Sequence, residues 1–226
     1  MENITISSLF DLTKAELAKE LFENHFYPWE ILPLIHDYIL EKAADLDQKV
    51  YKTIGEQVWV HESVEIAETA VICGPCIIDA GTVIRPGAFI RGNALIGKNA
   101  VIGNSTEIKN AVIFDEVQVP HYNYVGDSVL GYKAHMGAGA ITSNIKADKT
   151  DVVIKGKDYQ IPTGLRKCGA MLGDYADIGC NSVLNPGTIV GRYTNVYPLS
   201  MLRGVIPTDS IYKNKDEIVT KFKTFD

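Results

Sequence analysis

The sequence predicts a mainly β chain, wound as a parallel β-helix of hexapeptide repeats behind a small N-terminal helical cap, and three observations predict it. From Val60 an apolar residue returns at every sixth position: Val60, Ile66, Ile72, Ile78, Ile84, Ile90, Ile96, Ile102, Ile108 and Phe114. Four residues after most of these stands a small one, as at Ala70, Cys76, Thr82, Ala88, Ala94, Ala100 and Thr106, with Gln118 out of pattern. Charge divides the chain unevenly, because residues 1–50 hold ten of its 28 acidic and four of its 22 basic residues, the whole net −6, and no glycine. Period six is neither the 3.6 of an amphipathic helix nor simple alternation, and it fits a coil of three short strands, about 18 residues per turn. Such coils bury their apolar faces by stacking, one strand spacing of roughly 4.8 Å apart.

In chain order, residues 1–52 read as an acidic helical cap. Thr13 and Glu16 have capping-box spacing before Leu17, Leu21 and Phe22, and Pro28 to Asp45 reads as a helix or broken pair kinked at Pro33. The aromatic cluster Phe22, Phe26, Tyr27 and Trp29 suits packing on the next domain, and the cap is expected to cover an exposed end of the coil stack. Residues 53–207 carry the repeat, which resumes at Leu130 and Met136 and again from Leu172 to Leu202. Two breaks interrupt it: a register slip at Pro120–Tyr124, and a polar, lysine-bearing loop over 143–167 expected to protrude toward a neighbouring subunit. Residues 208–226 are expected to form a C-terminal helical tail.

Composition removes several classes of function. A net charge of −6 lacks the basic footprint of a nucleic-acid binder. No apolar run approaches the roughly 20 residues of a membrane span and no signal-like segment opens the chain, so a cytoplasmic protein without membrane partners is expected. Four cysteines are too sparse for a disulfide scaffold, and Cys73-Gly-Pro-Cys76 has redox spacing but places Cys76 in a small-residue core slot. His61, His121 and His135 are too far apart along the coils to converge on a metal.

The segments Glu107-Ile-Lys109, Pro120-His121-Tyr-Asn-Tyr124-Val-Gly-Asp127 and Met136-Gly-Ala-Gly139-Ala-Ile-Thr142-Ser-Asn144 occur in one order. Together they resemble the acetyltransferase half of the bifunctional N-acetylglucosamine-1-phosphate uridyltransferase / glucosamine-1-phosphate acetyltransferase family. With IRPGAFIRG and EIKNAVI they also resemble the stand-alone sugar-nucleotidyltransferase-like β-helix proteins. The resemblance covers roughly residues 60 to 205 and implies a left-handed helix, a handedness that period six alone does not give. It implies a homotrimer, and acetyl-coenzyme A as co-substrate.

An amine acetyltransferase needs a base for the attacking amine, cations for a phosphate and a slot for the pantetheine arm. The resemblance assigns the base to His121, whose imidazole titrates near neutrality; the competing reading is a surface histidine in a turn. It assigns phosphate binding to Lys109. Arg91 lies one coil beneath Lys109, so the two could clasp one anion or form a solvated face, and Arg85 matches the family's arginine motif by local sequence. Tyr124 is the expected sugar-phosphate contact, and His135 stands where the family has a sugar-binding asparagine. Lys149, with Lys146 as the alternative, is the expected loop lysine. Coenzyme A contacts are expected at Ala138, Cys180 and Pro198. The expected reaction is acetyl transfer to the amine of an amino-sugar phosphate such as glucosamine-1-phosphate. No metal is required, because a thioester already has a good leaving group. Residues 1–50 cannot hold a nucleotidyltransferase domain, so uridylyl transfer is not expected. A catalytically silent module binding a sugar phosphate or sugar nucleotide, and a plain structural trimer, are the alternatives.

Overall fold

A computed structural model of the protein describes residues 4–221. It is a parallel β-helix of short strands, as the repeat predicts, and left-handed, as the family resemblance implies. Each coil contributes one strand to each of three faces. The open face stacks Val71–Ile72, Phe89–Ile90, the start of Glu107–Ile113, the start of Tyr124–Leu130, Ile141–Thr142, Val183–Leu184 and Met201–Leu202. A second, covered face stacks Cys76–Ile78, Ala94–Ile96, the ends of the same two long strands, Ala170–Leu172, Thr188–Val190 and Val205–Ile206. The third, groove face runs from Glu65–Ile66 through Gln118–His121 and His135–Met136 to Asn195–Val196. Inward aliphatics such as Ile78, Ile84, Ile90, Ile96, Ile102 and Ile108 are buried to 1% exposure or less, each contributing about 1.5–3 kcal/mol of burial.

The register slip falls earlier than the sequence suggests. Ile108 lies opposite Ile90, eighteen residues back, but Ile113 lies opposite Ile96, seventeen back, so the lost residue is at Asn110. A second five-residue step follows between Val125 and Leu130, at Asp127. At both steps the corner between the open and covered faces is turned by one residue of positive φ, Asn110 at 47° and Asp127 at 48°, a conformation short polar side chains tolerate. The shift makes Ile113 the inward residue and turns Phe114 out against Phe10 and Phe22, at ring separations of 5.1 and 5.6 Å. It also explains Gln118: the buried small slot of that coil belongs to Val117.

Three expectations about the appendages are corrected. The N-terminal segment does not cap an end but lies along the covered face, where Ile35–Ala44 packs on Ala94–Ile96 and Pro28–Leu34 on Tyr124–Leu130. Asp174, fully buried, pins it by accepting the Asp11 N–H at 2.7 Å. The segment is as much 3₁₀ as α-helix: Thr13 donates to the Asp11 carboxylate instead of opening an α-helix, and Pro33 falls in the 3₁₀ turn Pro28–Leu34 that runs into the α-helix Ile35–Ala44. The capping box forms instead at Thr5 and Ser8.

The loop 143–167 does not protrude. Its hairpin, Val153–Lys155 with Gln160–Pro162, folds back beside Thr188–Val190 and buries Val152 and Ile154 completely. The tail is a hairpin, Ser210–Asn214 with Glu217–Thr220, not a helix, and residues 222–226 of that expectation lie outside the described residues. Its sequence alternates, with Tyr212 taking the inward place above Val196, and the β-branched Ile211, Ile218, Val219 and Thr220 favour strand. This hairpin and the antiparallel pair Tyr51–Gly55 with Val58–His61 close the two ends of the stack.

Candidate functional site

One corner, between the groove and open faces, gathers four of the ten expected site residues. A ladder of backbone hydrogen bonds climbs it: Tyr122 N–H to Asn104 O (2.8 Å), Gly139 N–H to His121 O (3.0 Å), Asn181 N–H to Ala138 O (2.8 Å) and Leu199 N–H to Cys180 O (2.9 Å). His121, Ala138, Cys180 and the Pro198 that precedes Leu199 therefore form one column over four successive coils, with His121 at its foot. The residues after them, Tyr122, Gly139, Asn181 and Leu199, all have positive φ, which makes each rung the same sharp turn. Cys180 is exposed, so the column faces solvent.

His121 ends the strand Gln118–His121 and is itself exposed. What fixes its backbone is Asn123, a residue the sequence reading passed over. Asn123 is 3% exposed. It accepts the His121 N–H through Oδ1 at 3.0 Å and donates through Nδ2 to the Gly137 and Ala140 carbonyls of the coil above, at 2.8 and 3.0 Å. Neighbouring coils fill the same corner slot with Ala88, Thr106, Ala140 and Ser182. An amide in place of a small residue was the available signal.

The open face carries the next group. Arg91 does lie beneath Lys109, since the Arg91 N–H donates to Ile108 O at 2.8 Å. The two cations do not meet one another's anion, however: Arg91 pairs with Glu107 at 2.6 Å, while Lys109 stands 3.8 Å from Asp127. The Glu107 contact raises the guanidinium pKa further. Asp127 is nearly buried and accepts from Asn110 Nδ2 at 2.9 Å and Asn144 Nδ2 at 2.5 Å. Asn144 Nδ2 also reaches the Tyr124 hydroxyl at 3.1 Å. Above Lys109 stands Gly126, where a Cβ would come within 2.4 Å of that hydroxyl, so the absent side chain is what lets the ring lie there. Burial, then the neighbouring Asp127 and Glu107 carboxylates, push the Tyr124 phenol up, so it stays a neutral hydrogen-bonding group at neutral pH.

Other expected residues sit apart. Arg85 follows the groove-face strand Val83–Ile84, two coils below Pro120, whereas Arg91 and Lys109 belong to the open face. His135 opens the groove-face strand His135–Met136, three residues before Ala138 at the corner. There its Nδ1 meets Asp177 at 2.8 Å, and Asn195 Nδ2 holds the other Asp177 oxygen at 3.1 Å. The His135 hydrogen bond, against partial burial, holds the Asp177 carboxyl below its usual range. Lys149 is exposed on the turn that its N–H closes onto Lys146 O, ahead of the hairpin, and Lys146 lines a pocket beneath the folded-back loop. Burial pushes the Cys168 thiol up to about 12 and the Cys76 thiol higher still, while Cys73 is exposed. Among the described residues no three His, Cys, Asp or Glu side chains are grouped to hold a metal, and no helix is long and apolar enough to cross a membrane.

Comparison with known proteins places this arrangement. The bifunctional sugar-1-phosphate nucleotidylyltransferase/acetyltransferase of Sulfurisphaera tokodaii is 37% identical over 92 residues, 41% of this chain and 23% of that protein. The bifunctional protein GlmU of Methanococcus maripaludis is 34% identical over 115 residues, 50% of this chain and 27% of that protein. The chain thus spans about a quarter of the length of these two relatives. A crystal structure of perosamine N-acetyltransferase from Caulobacter crescentus in complex with CoA and GDP-perosamine superimposes with a TM-score of 0.38 at 16% identity, over 74% of this chain and 57% of that one. The family model described as the GMPPB C-terminal domain matches residues 72–218, well over half of the sequence, and the chain belongs to that family.

Proposed function

We propose that the protein transfers acetyl from acetyl-coenzyme A to the amine of an amino-sugar phosphate such as glucosamine-1-phosphate. The observation that carries this reading is the corner column: a solvent-facing histidine at the foot of a straight run of identical turns, Ala138, Cys180 and Pro198, along which an extended pantetheine arm could lie. His121 takes the proton from the amine as it attacks the thioester carbonyl, and the thiolate of coenzyme A leaves. Lys109, which keeps part of its surface open beside Asp127, and Arg91 below it receive the phosphate. Tyr124, oriented by Asn144, contacts the sugar phosphate. The curated relatives named above, one of them a nucleotidylyltransferase/acetyltransferase, support a sugar-directed acyl transfer of this kind.

The ion pairs of Arg91 with Glu107 and Lys109 with Asp127 favour a second reading, a silent module that binds a sugar phosphate or sugar nucleotide without turnover. A panel of amino-sugar phosphates assayed with acetyl-coenzyme A separates the two. On the first reading His121→Ala lowers turnover by about 10²- to 10⁴-fold without loss of coenzyme binding. Lys109→Ala chiefly raises KM, by the roughly 1.5–3 kcal/mol of a charge-assisted hydrogen bond. Binding of a sugar phosphate with no acetyl transfer, or wild-type turnover in His121→Ala, defeats that reading.

A further inference from the structure

The pocket beneath the folded-back loop is built of cations that the acetyl-transfer reading does not use. Hydrogen bonds from Ser143 N–H to Leu184 O (2.8 Å) and from Asn185 N–H to Leu202 O (3.0 Å) stack Ser143, Asn185 and Arg203 in one column, at the corner between the open and covered faces. The hairpin of the loop then lays Lys155 beside Arg203. Two glycines permit that docking. A Cβ on Gly204, whose φ is +80°, would stand 2.5 Å from the Lys155 carbonyl oxygen, and one on Gly187 would stand 2.7 Å from Val152. The space enclosed is about 540 Å³, within the range of small-molecule sites.

Its charge is unbalanced. Lys146, Lys155 and Arg203 line it, with Asp148 as the one acid among the described residues that do so. Asp148 is already engaged, at 3.4 Å from Lys146 and as acceptor of the Thr150 N–H at 3.0 Å. Lys155 and Arg203 have no carboxylate within 4.0 Å among the described residues. Neither cation has its charge offset by a neighbouring carboxylate, and a bound polyanion would supply that charge. Ile145, Val153 and Pro186 supply an apolar side to the same pocket, a surface for a flat ring. We propose that this pocket binds a nucleoside diphosphate, its diphosphate on Lys155 and Arg203 and its base against Ile145 and Pro186. The site stands on a different corner from the His121 column and does not rest on the acetyl-transfer reading.

Calorimetric titration of the full chain with ADP, UDP and inorganic pyrophosphate tests it. The nucleoside diphosphates bind, pyrophosphate binds at least several-fold more weakly, and Lys155→Glu combined with Arg203→Glu weakens ADP by tenfold or more. Lys157→Glu, the same charge change as either single pocket substitution, on the same hairpin but outside the pocket, leaves the affinity within twofold. Unchanged melting temperatures in both variants show that they fold. Absence of ADP and UDP binding overturns the proposal, as does equal weakening by Lys157→Glu. Pyrophosphate binding as tightly as ADP overturns the nucleoside part. None of these outcomes depends on whether the protein acetylates anything.

Discussion

Replacing Asn123 by alanine should be among the most costly polar substitutions in the coil stack. The side chain is buried and makes three hydrogen bonds to backbone: from His121 N–H, to Gly137 O and to Ala140 O. At about 1 kcal/mol net for each, their loss comes to about 3 kcal/mol. No packing penalty is added, because the slot already accepts alanine at Ala88 two coils below and at Ala140 immediately above. For a chain of this size each kcal/mol moves the melting temperature by about 2–4 °C, so a fall of about 6–12 °C is expected. Scanning calorimetry and urea unfolding read it, with the urea slope unchanged. Asn104→Ala serves as the comparison: Asn104 is one coil down the same corner, part-exposed, and makes a single side-chain bond to Pro86 O at 2.9 Å, so it should cost less than half as much. A fall below about 2 °C for Asn123→Ala, or equal falls for the two variants, would show that water replaces these bonds and that Asn123 does not hold the His121 turn.

Two further predictions concern pH and the loop. Because the folded Asp177 carboxyl sits below its usual value of 3.8, the pair with His135 contributes stability above about pH 4 that is lost as pH falls through the folded value. Urea midpoints of wild type and Asp177→Asn should therefore differ at about pH 6 and converge toward about pH 2, by a modest amount because the pair is half exposed; a constant difference contradicts the assignment. Gly204→Ala should cost more than the roughly 1–2 kcal/mol of a left-handed alanine, since the new methyl meets the Lys155 carbonyl, and should speed proteolysis within 143–167. Gly164→Ala, at φ +69° with nothing within 4 Å, should cost the backbone strain alone, and equal behaviour of the two variants would count against the docking.

The period-six pattern was legible because one physical demand, an aliphatic inward at each strand, repeats without help from distant residues. It carried the fold, the stacking of Arg91 under Lys109 and the common column of Cys180 and Pro198. Where a second demand overlaid the first, the pattern misled. Phe114 kept the spacing of the repeat while serving the contact with Phe10 and Phe22, which hid the five-residue step at Asn110. The lysines of 143–167 read as a solvated protrusion, because Val152 and Ile154 have their partner at Gly187 and Lys155 has its own at Gly204, far along the chain, and an absent side chain gives no hydropathy signal. Asn123 was hidden for a related reason: its partners are backbone carbonyls one coil above. His135 was placed by alignment to a motif, and its Asp177 and Asn195 partners emerge once the coils at 135, 177 and 195 are stacked.

The three faces differ in what they offer to another copy of the chain. The covered face is closed by the N-terminal segment and the loop hairpin, and the groove face is lined by Gln118, His135, Asp177 and Tyr175. The open face and its corner with the groove face instead expose apolar side chains: Leu199 at 80%, Tyr122 at 65% and Met201 at 60%, with Val71 and Phe89 lower in the stack. Exposed apolar side chains repeated along one side of a coil stack mark an interaction surface. Tyr122 follows His121 and Leu199 follows Pro198, so an association through this patch would bring a second chain against the whole corner column. The family resemblance implies three copies, which the mass in solution tests. Light scattering at micromolar concentration should then give three times 24.9 kDa, and Leu199→Glu with Met201→Glu should lower the mass while leaving the melting temperature of the dissociated chain within a few degrees, since neither side chain is in the core. If the wild type is monomeric, the column must bind its ligands without a neighbour. If the double variant keeps the full mass, the contact lies on the groove face, and His135 with Asp177 becomes part of an interface.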